Sequence, residues 1–307
     1  MAYIKQIYKN FVILLIMLSI SACNTTATVT QALVSTDLSN TATVMSIAST
    51  ENPAKAIYEQ GVAQLKSGDY KNALKSFDQL IKIEPNNTLA YTQLAITKLQ
   101  LNDIDGALAD LNKAIELEPK NYLAYNTRGS VFVDQDNLAG ALDDFNKAID
   151  ANPKYANAYV NRANILVQMG KYDEALADYN KAIELDPNNP DYYFNRGSAY
   201  GDMEKYDMAI ADYSKYIEMV PDDPGGYFNR ATAYAQIQEF DKALYDVNKA
   251  IEITPDNPQL YLLRGMIYGT KNLKDNAIAD FQKVLELSQD ADLRAQATDL
   301  LQQLGVA

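Results

Sequence analysis

The stretch from 156 to 189, ANAYVNRANILVQMGKYDEALADYNKAIELDPNN, and the next, from 190 to 223, PDYYFNRGSAYGDMEKYDMAIADYSKYIEMVPDD, lie one above the other without a gap. Tyr159 falls on Tyr193, Asn161 on Asn195, Arg162 on Arg196, Ala175 on Ala209, Asp178 on Asp212 and Pro187 on Pro221. Two segments that match in this way fold in the same way. Extending the frame outward gives Pro85, Pro119, Pro153, Pro187, Pro221 and Pro255, each 34 residues after the last. That is the period of a stacked helix-turn-helix unit.

The frame holds at other positions. The eighth place is small in every copy: Gly61, Ala95, Gly129, Ala163, Gly197, Ala231 and Gly265. So is the twentieth, from Ala73 and Ala107 to Ala277. Small residues there let two helix axes approach closely. Bulky residues fill the complementary places, with Tyr91, Tyr125, Tyr159, Tyr193, Tyr227 and Tyr261 at the fourth. Phe77, Leu111, Phe145, Tyr179, Tyr213, Val247 and Phe281 stand at the twenty-fourth.

These residues closely resemble the tetratricopeptide repeat (TPR) family. The resemblance implies an all-α, right-handed superhelical solenoid of seven helix-turn-helix repeats, at 54–87, 88–121, 122–155, 156–189, 190–223, 224–257 and 258–291. In the last copy Gln289 replaces the proline, and Leu293, Ala297, Leu300, Leu301 and Leu304 then recur at helical spacing. Residues 292–307 are therefore expected to form a helix that caps the final repeat.

Arg128, Arg162, Arg196, Arg230 and Arg264 share the seventh place, and Asp110, Asp144, Asp178, Asp212, Asp246 and Asp280 the twenty-third. An arginine beside the close-packed small residue needs a partner. Ser76 and Leu94 lack both charges together, so each Asp is expected to pair with the Arg 18 residues on, Asp110 with Arg128 through to Asp246 with Arg264. This is read as a structural ladder that fixes the angle between repeats. Tyr216 at the usually small twenty-seventh place, followed by Pro224, Gly225 and Gly226, points to a softer, wider joint between repeats five and six.

By resemblance, the first helix of each repeat lines the concave face. Asn161, Asn195 and Asn229 occupy the sixth place in three consecutive repeats, each with an amide that can donate to and accept from a peptide bond. The arrangement is similar to the asparagine ladder in the TPR part of O-linked N-acetylglucosamine transferases. Phe194 and Phe228 at the fifth place, and Asn164, Ser198 and Thr232 at the ninth, complete the candidate peptide-binding set. Gly201, Ala235 and Gly269 at the twelfth are small and should deepen the groove. Modules that clamp a C-terminal carboxylate need basic residues where this chain has Val160, Gly225 and Asn229; only Asn164 and Asn195 match them.

At the N-terminus, Lys5 and Lys9 precede the largely apolar run from Phe11 to Ile20, which leads into Ile20, Ser21, Ala22 and Cys23. The run is too short to cross a bilayer as a helix. It resembles a bacterial lipoprotein signal peptide over residues 1–22, which implies cleavage before Cys23 and lipidation of that residue. Several acyl chains hold a protein firmly where one holds it weakly. Asn24 in place of Asp implies the outer membrane, facing the periplasm. Residues 23–53, rich in Thr, Ser and Ala, read as a tether with a mean reach of roughly 30 Å.

The chain has 48% apolar and 22% charged residues, as a folded protein does. It has no His and only one Cys, which removes the usual zinc and haem ligand sets and the Ser-His and Cys-His nucleophiles. No metal, cofactor or catalytic residue is expected. Beyond residue 22 there are 25 basic against 40 acidic side chains, a balance that repels nucleic acid. The expected function is a membrane-anchored scaffold that binds a protein or extended peptide in envelope assembly or peptidoglycan remodelling. The alternatives are a factor for secretin or pilus assembly, and a glycan or small-ligand binder stacking on Phe194 and Phe228. Oligomeric state is not legible.

Overall fold

The computed structural model describes residues 53–306. The expected signal peptide, Cys23 and nearly all of the expected tether lie outside the described residues. Fifteen helices follow one another, with no strand among the described residues. They form seven hairpins and one final helix. The described chain divides into two compact units, 53–187 and 188–306.

The first unit holds four hairpins: α1 Pro53–Lys66 with α2 Tyr70–Ile83, α3 Thr88–Gln100 with α4 Ile104–Leu117, α5 Tyr122–Asp134 with α6 Leu138–Ala151, and α7 Ala156–Gln168 with α8 Tyr172–Leu185. The second holds α9 Pro190–Asp202 with α10 Tyr206–Met219, α11 Pro224–Gln236 with α12 Phe240–Ile253, α13 Pro258–Thr270 with α14 Lys274–Leu287, and α15 Ala291–Gln303.

One turn makes all seven hairpins. The fifteenth residue of each repeat, Gly68, Asn102, Asp136, Gly170, Glu204, Gln238 or Asn272, has a φ between 57° and 79°. The next N–H reaches back to the carbonyl five residues earlier, as Lys205 does to Tyr200 at 2.8 Å. This left-handed termination satisfies carbonyls that the helix end would otherwise orphan. Short polar side chains start the helices: Asp69, Asp103 and Asn137 cap the second helices, and Asn87 and Asn121 the first. In the second unit Asn189, Asp223 and Asn257 cap helices that begin with proline.

The hairpins close by knob and notch. A Cβ added to Gly61, Gly129 or Gly265 would come within 2.7 Å of the ring of Phe77, Phe145 or Phe281. Every twentieth-place alanine is inaccessible to solvent. Successive repeats are joined in part by the fourth-place tyrosines: the hydroxyls of Tyr125, Tyr159 and Tyr261 donate to the carbonyls of Pro119, Pro153 and Pro255.

The ladder exists in a different register. Arg128 binds Asp144 of its own repeat through Nε at 2.7 Å and Nη2 at 2.8 Å, not Asp110. Arg162 with Asp178, Arg196 with Asp212, Arg230 with Asp246 and Arg264 with Asp280 repeat this fork. A hairpin turning at place 15 sets place i against place 30 − i, so the seventh meets the twenty-third of the same repeat. The third nitrogen supplies the link between repeats: Nη1 of Arg128 donates to Asn112, of Arg162 to Asn146, of Arg230 to Ser214 and of Arg264 to Asn248. Where place seven is Leu94, Lys98 one turn on takes Asp110 at 2.6 Å. In the first repeat Ser76 donates to Gln64 at 2.7 Å instead.

The joint after repeat five is tight, not wide. Tyr216 fills the space above Gly226, where a Cβ would lie 2.7 Å from its Cδ1. Its hydroxyl donates to Asp223 at 2.6 Å. Beyond the last repeat, α15 buries Ala297, Leu300 and Leu301 and packs against α14. Arg294 Nη1 ties it back by donating to the carbonyls of Leu285 and Ser288.

Candidate functional site

Successive first helices touch one another in each unit, α1 with α3 and α3 with α5, then α9 with α11 and α11 with α13. No two second helices meet to that extent among the described residues. The first helices therefore form the inner wall of each unit, and their outward-turned side chains decide what that wall can hold.

In the second unit Asn195 on α9 and Asn229 on α11 are half-buried, and neither amide makes a hydrogen bond among the described residues. An amide on the inner wall with no internal partner is available to a ligand's backbone. Asn161, in the first unit, differs: its Nδ2 donates to Asn126 Oδ1 at 2.9 Å, so part of its capacity is spent inside the fold. Asn126 was not anticipated as its partner. Gln93, at the same place in repeat two, has no partner on either amide atom among the described residues.

The ninth-place residues are braced by their own repeats. Tyr179 donates to Asn164 Oδ1 at 2.5 Å, and Tyr213 donates to Ser198 Oγ at 3.2 Å. Thr232 is buried and donates to the carbonyl of Phe228. The two phenyl rings are packing residues. Phe194 lies edge-on to Tyr213 at 5.8 Å and tilted against Tyr216 at 4.9 Å. Phe228 is buried in the apolar cluster it shares with Leu263, Met266 and Ile267. Of the small twelfth-place residues, Gly269 has nothing within 4 Å of where a Cβ would stand, and at Gly201 the nearest atom is the Tyr213 hydroxyl at 3.9 Å.

Sequence reasoning missed the carboxylates on this wall. Asp191, Asn195, Ser198 and Asp202 recur on α9 at intervals that bring all four to one face. Asp191 and Asp202 are exposed to solvent but stand inside a concave, crowded surface. Desolvation pushes both above the usual carboxylate range, and nearby Asp223 raises Asp191 further. Asp134 on α5 in the first unit is raised by the same cause. No Lys or Arg lies within ion-pair distance of Asp191 or Asp202 among the described residues. The ladder arginines are occupied: hydrogen bonds to their Asp partners hold their pKa above the ordinary value, and Arg196 lies over Tyr193 and Tyr200 at 5.9 Å.

Models of the tetratricopeptide repeat match residues 54–87, 92–156, 145–177, 163–204, 190–223, 224–257 and 258–290. The chain belongs to the tetratricopeptide repeat family. Among solved structures it is similar to a tetratricopeptide repeat protein from Parabacteroides merdae, with a TM-score of 0.56 and 22% identity over 82% of this chain and 98% of that one. It is also similar to YrrB, a TPR protein with an unusual peptide-binding site, with a TM-score of 0.51 and 26% identity over 65% of this chain and 100% of that one. A chain of the APC/C hetero-tetramer Cut9–Hcn1 matches with a TM-score of 0.60 and 16% identity, over 76% of this chain and 48% of that one. No curated protein matches the sequence.

Proposed function

We propose that this protein is a non-enzymatic scaffold, tied by a lipidated Cys23 to the outer membrane and facing the periplasm, which holds an extended peptide of a partner protein against the inner faces of its first helices. The observation that carries the reading is the pair of amides, Asn195 and Asn229, that make no hydrogen bond among the described residues and stand at equivalent places on successive first helices. Packed helices stand about 10 Å apart and an extended chain advances roughly 3.3 Å per residue, so one amide meets every third peptide unit. Such contacts are made to backbone and tolerate many sequences. The likeness to YrrB, whose description includes a peptide-binding site, supports the same use of the fold. Its place in the envelope would be the gathering of enzymes that remodel peptidoglycan, or secretin assembly.

Pull-down of the full native chain from detergent-solubilised cell membranes tests the groove. One dominant envelope partner is expected, and its recovery on the otherwise native chain should fall at least tenfold in Asn195→Ala with Asn229→Ala. Unchanged recovery in the double variant rejects the groove. Cys23→Ala tests the anchor separately: the protein should move from the membrane to the soluble fraction.

A further inference from the structure

The two carboxylates on α9 stand on either side of Asn195. Asp191 is four residues away toward the N-terminus and Asp202 seven toward the C-terminus, about 6 and 10 Å along the axis at 1.5 Å per residue. The neighbouring wall offers no countercharge: α11 presents Gly225, Asn229, Thr232 and Gln236 at the inward places, all uncharged. Arg196 and Arg230 are held by Asp212 and Asp246. Two negative groups with no cationic partner among the described residues therefore flank an amide that makes no hydrogen bond among them, in a crowded concavity where desolvation penalises both carboxylates.

A peptide that crosses α9 in extended form, with its backbone on Asn195, sends successive side chains to opposite sides. One points toward Asp191 and Asp223, the next toward Asp202. Lys and Arg reach such distances on their aliphatic stems. Taking the peptide-binding reading as its basis, we infer that the segment held at this place carries two consecutive basic residues, one for each carboxylate. The amides supply tolerance for sequence along the rest of the chain, and the carboxylates supply register at one point.

The test uses the full chain in detergent and three fluorescein-labelled ten-residue peptides of Ser, Thr and Val that carry Lys-Lys, Gln-Gln or Glu-Glu at the centre. At low salt the Lys-Lys peptide should bind about tenfold more tightly than the Gln-Gln peptide, with Glu-Glu weakest. That preference should disappear at 0.5 M salt and in Asp191→Asn with Asp202→Asn, while Gln-Gln binding stays as it was. Equal affinity for Lys-Lys and Gln-Gln, a Lys-Lys preference that survives the double Asn substitution, or no binding of the Lys-Lys peptide overturns the inference. Asn195→Ala with Asn229→Ala should weaken both peptides alike. If it changes neither, the underlying groove reading fails instead, a result distinguishable from loss of the charge preference alone.

Discussion

Tyr216 occupies the notch that Gly226 leaves open: a Cβ on the glycine would meet Cδ1 of the ring at 2.7 Å and Cγ1 of Ile217 at 3.0 Å. Two residues that each look like a defect in the repeat pattern compensate for one another. Gly226→Ala gains up to about 1 kcal/mol of helix propensity but forces a methyl into a filled site, at about 1–3 kcal/mol. A net loss of about 1 kcal/mol is expected in denaturant unfolding. In a Tyr216→Ala background the cost of the same substitution should shrink, because the ring is gone and only the Ile217 side chain must give way. Equal cost in both backgrounds would show that the pair is not coupled.

The arginine fork separates two registers that the sequence alone left to argument. Asp144 is 1% exposed as a side chain, so removing Arg128 strands a buried charge. Arg128→Ala is expected to cost about 3–5 kcal/mol. A double-mutant cycle between Arg128 and Asp144 should return a coupling of about 1–3 kcal/mol, and one between Arg128 and Asp110 a value near zero. The opposite ranking would restore the register between repeats. Loss of Asn112, by Asn112→Ala, should cost about 1 kcal/mol, since one charge-assisted bond is lost at an exposed site.

Residues that recur with the period were legible, because repetition averages away local accident: the prolines, the small eighth and twentieth places and the bulky fourth and twenty-fourth fixed seven hairpins and a cap. The ladder residues were legible as types but not as partners. The decisive fact was the turn at place 15, and five of its seven residues there are Asn, Asp, Glu or Gln, not glycine. On the inner wall, the sixth-place asparagines stood out because they repeat, whereas Asp191 and Asp202 each occur in one repeat and carry no periodic signal. Phe228, expected on the groove surface, is buried for a related reason, and Phe194 is half-buried against Tyr213 and Tyr216. Place five can turn toward the core when place 27 or the next repeat offers a ring or an apolar cluster, and Tyr216 does so here.

Glu204 sits at φ 57° where a side chain crowds its own carbonyl. A left-handed residue other than glycine costs roughly 1–2 kcal/mol, partly offset because glycine has more freedom to lose on folding. Glu204→Gly should therefore stabilise the second unit by about 0.5–1 kcal/mol. Gly170→Glu, the reverse change at the equivalent turn of the first unit, where nothing lies within 4 Å to clash, should destabilise by a similar amount. Thermal unfolding of both variants checks the pair, and the same sign in both would contradict a backbone origin.

Asp202 links the wall's charge to its stability. Asp202 is exposed to solvent, but the crowded wall desolvates it in part and raises its pKa above the ordinary 3.8, so the folded chain holds this proton more tightly than the unfolded chain does. The folded state then binds more protons through the window between the two values, and stability falls as pH rises across it. Above that window the ionised carboxylate is a standing cost; below it, with both states protonated, the cost is absent. Asp202→Asn should consequently raise the melting temperature at pH 7 and leave it unchanged near pH 3. Raised salt should shrink the difference at pH 7 little, because desolvation and not a long-range pair is its cause. A gain of equal size at both pH values would point to packing, and a loss at pH 7 would mean that the carboxylate has a partner in the fold.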